Sequence, residues 1–147
     1  MLRWAADEHE AAGLVAWLGA RVPHIGPAGV GPCVAGGVWR GGALRAVVLF
    51  HDWQTPESTL QVSIAGEPGW ATRGALRAMF AYAFRTCGAH LLWAAMPADR
   101  PEALAFNRRL GFREEARLRD RFGPGRAAVV SSITREEWMA GPFAMKD

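Results

Sequence analysis

The sequence is short of cysteine, tyrosine, lysine and long apolar runs, and each shortage removes a class of protein. Its two cysteines, Cys33 and Cys87, lie far apart with no CxxC or Cys/His spacing around them, so neither a disulfide framework nor a zinc site is expected, and no metal of any kind. Hydrophobic residues make up 50% of the 147 positions, but charges interrupt them throughout. No segment is apolar for long enough to cross a bilayer. The stretch Met1–Glu10 carries acids early and lacks a basic flank followed by an apolar run, so no export signal is read and a cytoplasmic protein is expected. Lys146 is the only lysine; the formal charge of +3 therefore rests on arginines, which alternate with acids. That balance is too mild for a nucleic-acid partner, yet it suits a pocket that holds a polyanion.

What is present is enough for one domain spanning 1–147. From Asp7 to Val22, Ala11, Leu14, Val15, Leu18 and Val22 recur at helical spacing behind Asp7, Glu8 and Glu10, an amphipathic helix with acids at its positive end. Pro23–Pro32 is too dense in glycine and proline for a helix or an interior strand. Strands are expected over Cys33–Trp39 and Leu44–Trp53, joined by a turn at Arg40-Gly41-Gly42, and over Thr59–Ala65. Ala46–Phe50 is apolar on both faces, which predicts a strand covered on both sides of a layered α/β domain. A helix follows over Ala71–Thr86 with Gly88 as its stop, then a strand over His90–Met96 and a helix over Pro101–Leu110 ended by Gly111. Arg117, Arg119 and Arg121 alternate with Ala116, Leu118 and Phe122 as one strand of a hairpin that turns at Gly123-Pro124-Gly125 and returns over Arg126–Thr134. This order predicts a mixed sheet flanked by helices.

The chemistry concentrates at the junction Gly66-Glu-Pro-Gly-Trp-Ala-Thr-Arg-Gly74. A strand opens into a long helix there through small residues, which exposes backbone amides at the positive end of a helix dipole. Gly69-Trp70-Ala71-Thr72 resembles the G-x-G/A step that begins the CoA-binding helix of the GNAT (general N-acetyltransferase) superfamily. Tyr82-Ala83-Phe84 resembles the Y-A-F late in that helix, and Leu110-Gly111-Phe112 with Glu115 and Ala116 resembles the family's L-G-F-x-x-E-G. Arg117–Arg119 and Arg135-Glu136-Glu137-Trp138 are similar to the ends of phage and bacterial members related to ribosomal-protein acetylases. No one motif carries the resemblance; their order along nearly the whole chain does.

The resemblance implies the GNAT fold, a twisted, mostly antiparallel sheet flanked by helices, and a reaction in which an amine attacks acetyl-CoA directly. Its implied coenzyme-binding residues are Ile64, Ala65, Gly66, Gly69, Trp70, Ala71, Thr72, Arg73, Gly74 and Asn107. Among the arginines, Arg73 is preferred to Arg108 and Arg109 as a phosphate contact. A backbone amide for the thioester carbonyl is expected around Ser63, Ile64 and Ala65.

Three positions depart from the family pattern. Gly66 stands where a phosphate-clamping Gln or Arg is common, the usual asparagine at the start of the last helix is replaced around Asp99 and Arg100, and Asn107 stands where many members carry the tyrosine that protonates the thiolate. The amine must also lose a proton, for which Glu57, Glu67, His51 and Asp52 are unranked candidates. The expected catalytic set is Glu57, Ser63 and Asn107.

Tyr82 reads as core with its hydroxyl on a partner, and most of the seven tryptophans read as core or rim. Trp70, at the helix entrance, is expected against the coenzyme or a neighbouring subunit. Trp138, Met139 and Phe143 near the tail are expected to be exposed and suited to covering a second copy of the chain. A second reading competes: a non-catalytic acyl-CoA-binding or interaction module on the same fold. The identity of the amine, whether a protein N-terminus, a lysine, a polyamine or a small molecule, is left open.

Overall fold

The apolar alternation in the middle of the chain forms the strands it predicts. In the computed structural model, which describes residues 1–145, the elements run β1 (Leu2–Trp4), α1 (Glu8–Arg21), β2 (Cys33–Arg40), β3 (Ala43–Gln54), β4 (Thr59–Gly66), α2 (Arg73–Ala81), β5 (Leu91–Pro97), α3 (Pro101–Leu110), β6 (Arg113–Leu118), β7 (Ala128–Thr134) and α4 (Arg135–Ala140). The strands form one seven-stranded sheet in the order β1-β2-β3-β4-β5-β7-β6. Every neighbouring pair is antiparallel except β4 and β5.

The sheet is covered on both faces. On one, Phe50, Val62, Met79, Phe80, Phe84 and Leu92 form the larger core under α2. On the other, Leu14 and Leu18 of α1 pack on Val47 and Leu49. β3 therefore has Ala46–Phe50 buried throughout, which is why that segment is apolar without alternation. α1 begins where its cap dictates: the Asp7 carboxylate accepts the Glu10 N–H at 2.8 Å, satisfying a donor that the first turn leaves open.

Four local expectations are corrected. β1 is new; three residues are too few to carry a period, and it forms because Leu2–Trp4 can pair with the edge of β2. The helix expected over Ala71–Thr86 starts at Arg73, because the Thr72 hydroxyl caps it by accepting from Ala75 N–H at 3.2 Å. Its last turn, Tyr82–Thr86, widens to π geometry with Cys87 N–H on the Tyr82 carbonyl at 2.9 Å. The sixth strand lies earlier than its alternation suggests, at Arg113–Leu118, fully exposed along the sheet edge; the chain breaks away at Asp120, whose φ is +57°.

The tail is the fourth. A capping box between Thr134 and Glu137 starts α4, and Trp138 is 3% exposed, stacked on Phe84 at 5.2 Å between ring centroids. The Trp138 Nε1–H donates to the Phe143 carbonyl at 3.2 Å, and Phe143 packs on Phe80. These two aromatics cover the chain's own core rather than a partner; only Met139 stays exposed. Among the described residues no helix is long and apolar enough to cross a membrane.

Candidate functional site

The one parallel pairing in the sheet is short. β4 and β5 pair only at Thr59↔Leu91, Leu60↔Leu92 and Gln61↔Trp93. Beyond that point β4 stays with β3 as far as Ala46↔Gly66, while β5 stays with β7 as far as Pro97↔Ala128. The two strands part, leaving a V whose arms are Val62–Gly66 and Ala94–Pro97. Glu67 N–H donates to Arg45 C=O of β3 at 2.8 Å. Antiparallel alternation counted back from that bond turns the N–H groups of Gly66 and Ile64 the other way, toward the opening.

A cavity of about 1170 Å³ occupies the V, lined by both arms, by the bend after β4 and by Phe106 and Asn107 of α3. The bend is a tight turn. Trp70 N–H donates to Glu67 C=O at 3.2 Å, with Pro68 and Gly69 at its centre and Gly69 at φ +87°; a type II turn requires that sign at its third residue, which glycine adopts without strain. The Arg40 Nη2–H donates to the Gly69 carbonyl at 3.2 Å and ties the outside of the turn to β2. Gly66 has a different reason: a Cβ there would fall 2.2 Å from Cδ1 of Trp70. Only a residue without a side chain lets the Trp70 ring lie across the strand end, where it is 7% exposed and faces Phe106. Trp70 thus borders the cavity from the core and has no surface for a neighbouring subunit.

The bend supplies donors. Among the described residues the N–H groups of Gly69, Ala71, Arg73 and Gly74 have no acceptor, while Ala75 is taken by Thr72. Ile64, Ala65, Gly66, Gly69, Trp70, Ala71, Arg73 and Asn107 all line the cavity; Thr72 and Gly74 do not, the first serving as the cap and the second lying one residue into the helix. Arg21, Arg73, Arg100, Arg109 and Arg126 line it against two acids, Glu67 and Glu102. Glu67 is engaged by Arg45 at 2.7 Å, Arg100 by Glu102 and Arg126 by Asp99. Arg21 meets the Trp17 carbonyl and lies over the Trp17 ring, and Arg73 meets the Pro142 carbonyl, so among the described residues neither charge has an acidic partner at the wall. Arg108 lines neither cavity.

A second cleft, of about 890 Å³, lies on the α1 side of the sheet. It shares His24, Ile25, Ser63 and Ala95 with the first, so the two cavities meet at Ser63. There the His51 Nε2 stands 2.9 Å from the Ser63 Oγ. The pair is a cross-strand diagonal, since His51 opposes Gln61 and Ser63 is two residues further on the same face. His51 is 7% exposed. Burial pushes its pKa below the ordinary 6.5, with the Asp52 charge opposing weakly, so the imidazole is neutral at pH 7 and can take a proton.

The remaining candidates separate clearly. Glu57 sits on the exposed turn between β3 and β4 and lines neither cavity; the hairpin carries it to the closed end of the V. Asp52 reaches the second cleft, but its carboxylate accepts from the Gln54 side chain at 2.9 Å. Asn107 is 7% exposed in the first cavity and directs its Nδ2 to the Met96 sulfur at 3.9 Å. Tyr82 packs between Trp4 and Phe50, and burial with a hydrogen bond to Cys87 pushes its phenol up to about 12. It is core, as its helical setting predicts. Sequence reasoning missed His24, which packs at a tilt against Phe122, 4.3 Å between ring centroids, where the cavities join; its one signal is a lone histidine inside a glycine- and proline-rich loop.

No protein-family model matches the sequence. No curated protein matches it either. Solved structures do. A spermidine N-acetyltransferase chimera from Vibrio cholerae and hSSAT superimposes with a TM-score of 0.75 at 16% identity, covering 95% of this chain and 99% of that one. The spermidine/spermine N-acetyltransferase of Vibrio cholerae, in complex with manganese ions, matches at 0.62 and 17% identity over 75% and 69%. A probable acetyltransferase matches at 0.64 and 20% over 72% and 63%. The seven-stranded sheet, its single parallel splay and the flanking helices are thus the GNAT acetyltransferase fold.

Proposed function

We propose that this chain, on its GNAT fold, is an N-acetyltransferase that moves the acetyl group of acetyl-CoA directly to a primary amine. The observation that carries the reading is the V between β4 and β5, with unpaired main-chain donors along one arm and at the bend, and with a second cleft meeting it at Ser63. Acetyl-CoA fits the first cavity on chemical grounds. Its pyrophosphate needs several convergent N–H donors at a helix start and cationic walls, and Gly69, Ala71 and Arg73 with the Arg21 and Arg73 side chains offer both.

Acetyl-CoA supplies a thioester, whose carbonyl carbon accepts the amine's lone pair while the C–S bond breaks. The Ile64 N–H faces the opening and donates to the carbonyl oxygen as it gains negative charge. The amine approaches from the second cleft as an ammonium ion; one proton passes through the Ser63 hydroxyl to the neutral His51 imidazole, and the second leaves the nitrogen after the new C–N bond forms. An amide is not an acid, so Asn107 can only donate a hydrogen bond to the departing sulfur, a contact its Nδ2 already makes with the Met96 thioether. The balance is one acetamide, one thiol and one proton released to solvent.

The test has two stages. Saturating acetyl-CoA is expected to raise the Tm by several degrees, as binding to the folded state alone requires, and a panel of primary amines is expected to drive thiol release. An unmoved Tm overturns the coenzyme site. A raised Tm with no thiol release from any amine leaves the non-catalytic acyl-CoA-binding module as the function.

A further inference from the structure

The second cleft has an unusual wall for a site that is to receive a cation, and its composition narrows the acceptor. Resting on the acetyl-transfer reading above, we infer that the acceptor is a monoamine carried on an apolar body of about aromatic size, and that polyamines are poor substrates. Val34 of β2, Trp53 of β3 and Leu118 of β6 are 40%, 42% and 46% exposed, and all three line this cleft, with Trp93 and Phe122 beside them. Large side chains left in water around one concavity mark a surface that an apolar ligand covers. The volume of about 890 Å³ is that of a small-molecule site.

The charges agree. Among the described residues lining the cleft, Asp52 is the one acid, and it is held by Gln54 at a backbone φ of +55°. Against it stands Arg121, which lies over Phe122, with the neutral His24 ring beside it. Burial keeps the His24 ring below the ordinary histidine range, and the nearby Arg126, Arg121 and Arg100 guanidinium groups push it the same way. A ligand with three or four ammonium groups would bring its second and third charges to a lining that offers one carboxylate, already held by Gln54. A monoamine brings one charge, which it gives up at Ser63, and leaves its apolar body against the tryptophans.

The experiment measures kcat/KM for thiol release from acetyl-CoA with phenethylamine, tryptamine, spermidine and spermine. Both arylalkylamines are expected to exceed both polyamines by roughly tenfold or more, the usual worth of a filled apolar subsite. Two rim variants sharpen it. Trp53→Ala is expected to raise KM for tryptamine about tenfold while the Tm shift with acetyl-CoA persists. Leu118→Glu, on an exposed edge strand that tolerates the change, is expected to raise the spermidine-to-phenethylamine ratio roughly fivefold by adding a carboxylate. Preferred turnover of spermidine by the unaltered protein overturns the inference while leaving acetyl transfer standing, as does a ratio unmoved by Leu118→Glu. Thiol release from no amine, with the Tm shift intact, overturns acetyl transfer and this inference with it.

Discussion

The two cavities that meet at Ser63 are built from opposite materials. The first is main chain. Its donors are the amides of Gly69, Ala71 and Arg73, and the bend that carries them is shaped by what is missing at Gly66, so the part that would meet an anion comes from one short stretch of chain. The second is side chain. Val34, His51, Ser63, Trp93, Leu118 and Phe122 arrive from five strands and a loop spread over most of the sequence. A wall of amides suits a group common to every donor molecule and changes little with substitution. A wall of side chains can be exchanged residue by residue, which is where an acceptor preference is written.

Substitutions that strike one cavity and spare the other test this division. The largest effect is expected from His51→Gln, which removes the proposed proton acceptor and lowers kcat roughly 10²- to 10⁴-fold, with the acetyl-CoA Kd measured by calorimetry unchanged. It also carries a pH signature. Because burial holds His51 below 6.5, the folded state resists protonation that the unfolded chain accepts. The stability it contributes is complete above pH 6.5 and is lost as pH falls through the lowered folded value. The Tm of the unaltered protein should fall as pH drops below about 6.5, and less steeply in His51→Gln, with the residual slope due in part to His24. Equal acid sensitivity in both would remove His51 from the account.

A smaller effect on the other side is expected from Gly66→Val. The added carbons meet the Trp70 ring, an overpacking of about 1–3 kcal/mol, and the displaced bend should weaken acetyl-CoA by roughly 10- to 100-fold. A thermal-shift titration reads this, and unchanged affinity would show that the bend does not bear the coenzyme. The smallest is Arg73→Ala. The side chain is exposed and, among the described residues, bonded only to a carbonyl, so the loss should be about two- to fivefold in Kd, the usual worth of an exposed charge. It should vanish as added salt shortens the screening length.

The same contrast separates what is legible in the amino-acid order from what is not. Ala46–Phe50, the acidic helix start at Asp7, the stop at Gly111 and the bend from Gly66 are local matters, in which neighbours in sequence are neighbours in space. They emerge from spacing and turn chemistry alone. The His51–Ser63 pair is not local: it exists because the β3–β4 hairpin sets His51 opposite Gln61, and a shift of one residue would turn Ser63 to the other face. Glu57, attractive as a loop carboxylate at a strand end, is carried by that same hairpin to the closed end of the V. Trp138 and Phe143 read as an exposed patch because nothing in a six-residue helix signals that it folds back on Phe80 and Phe84.

Three residue pairs join β4 to β5, and the sheet is continuous on either side of them. It is therefore two leaves, one of four strands and one of three, bound along a short spine in which Leu60 and Leu92 are buried. The gap between the leaves is a page angle rather than a hole, so trimming a spine leucine would alter the aperture of both cavities at once, from a point that touches neither ligand.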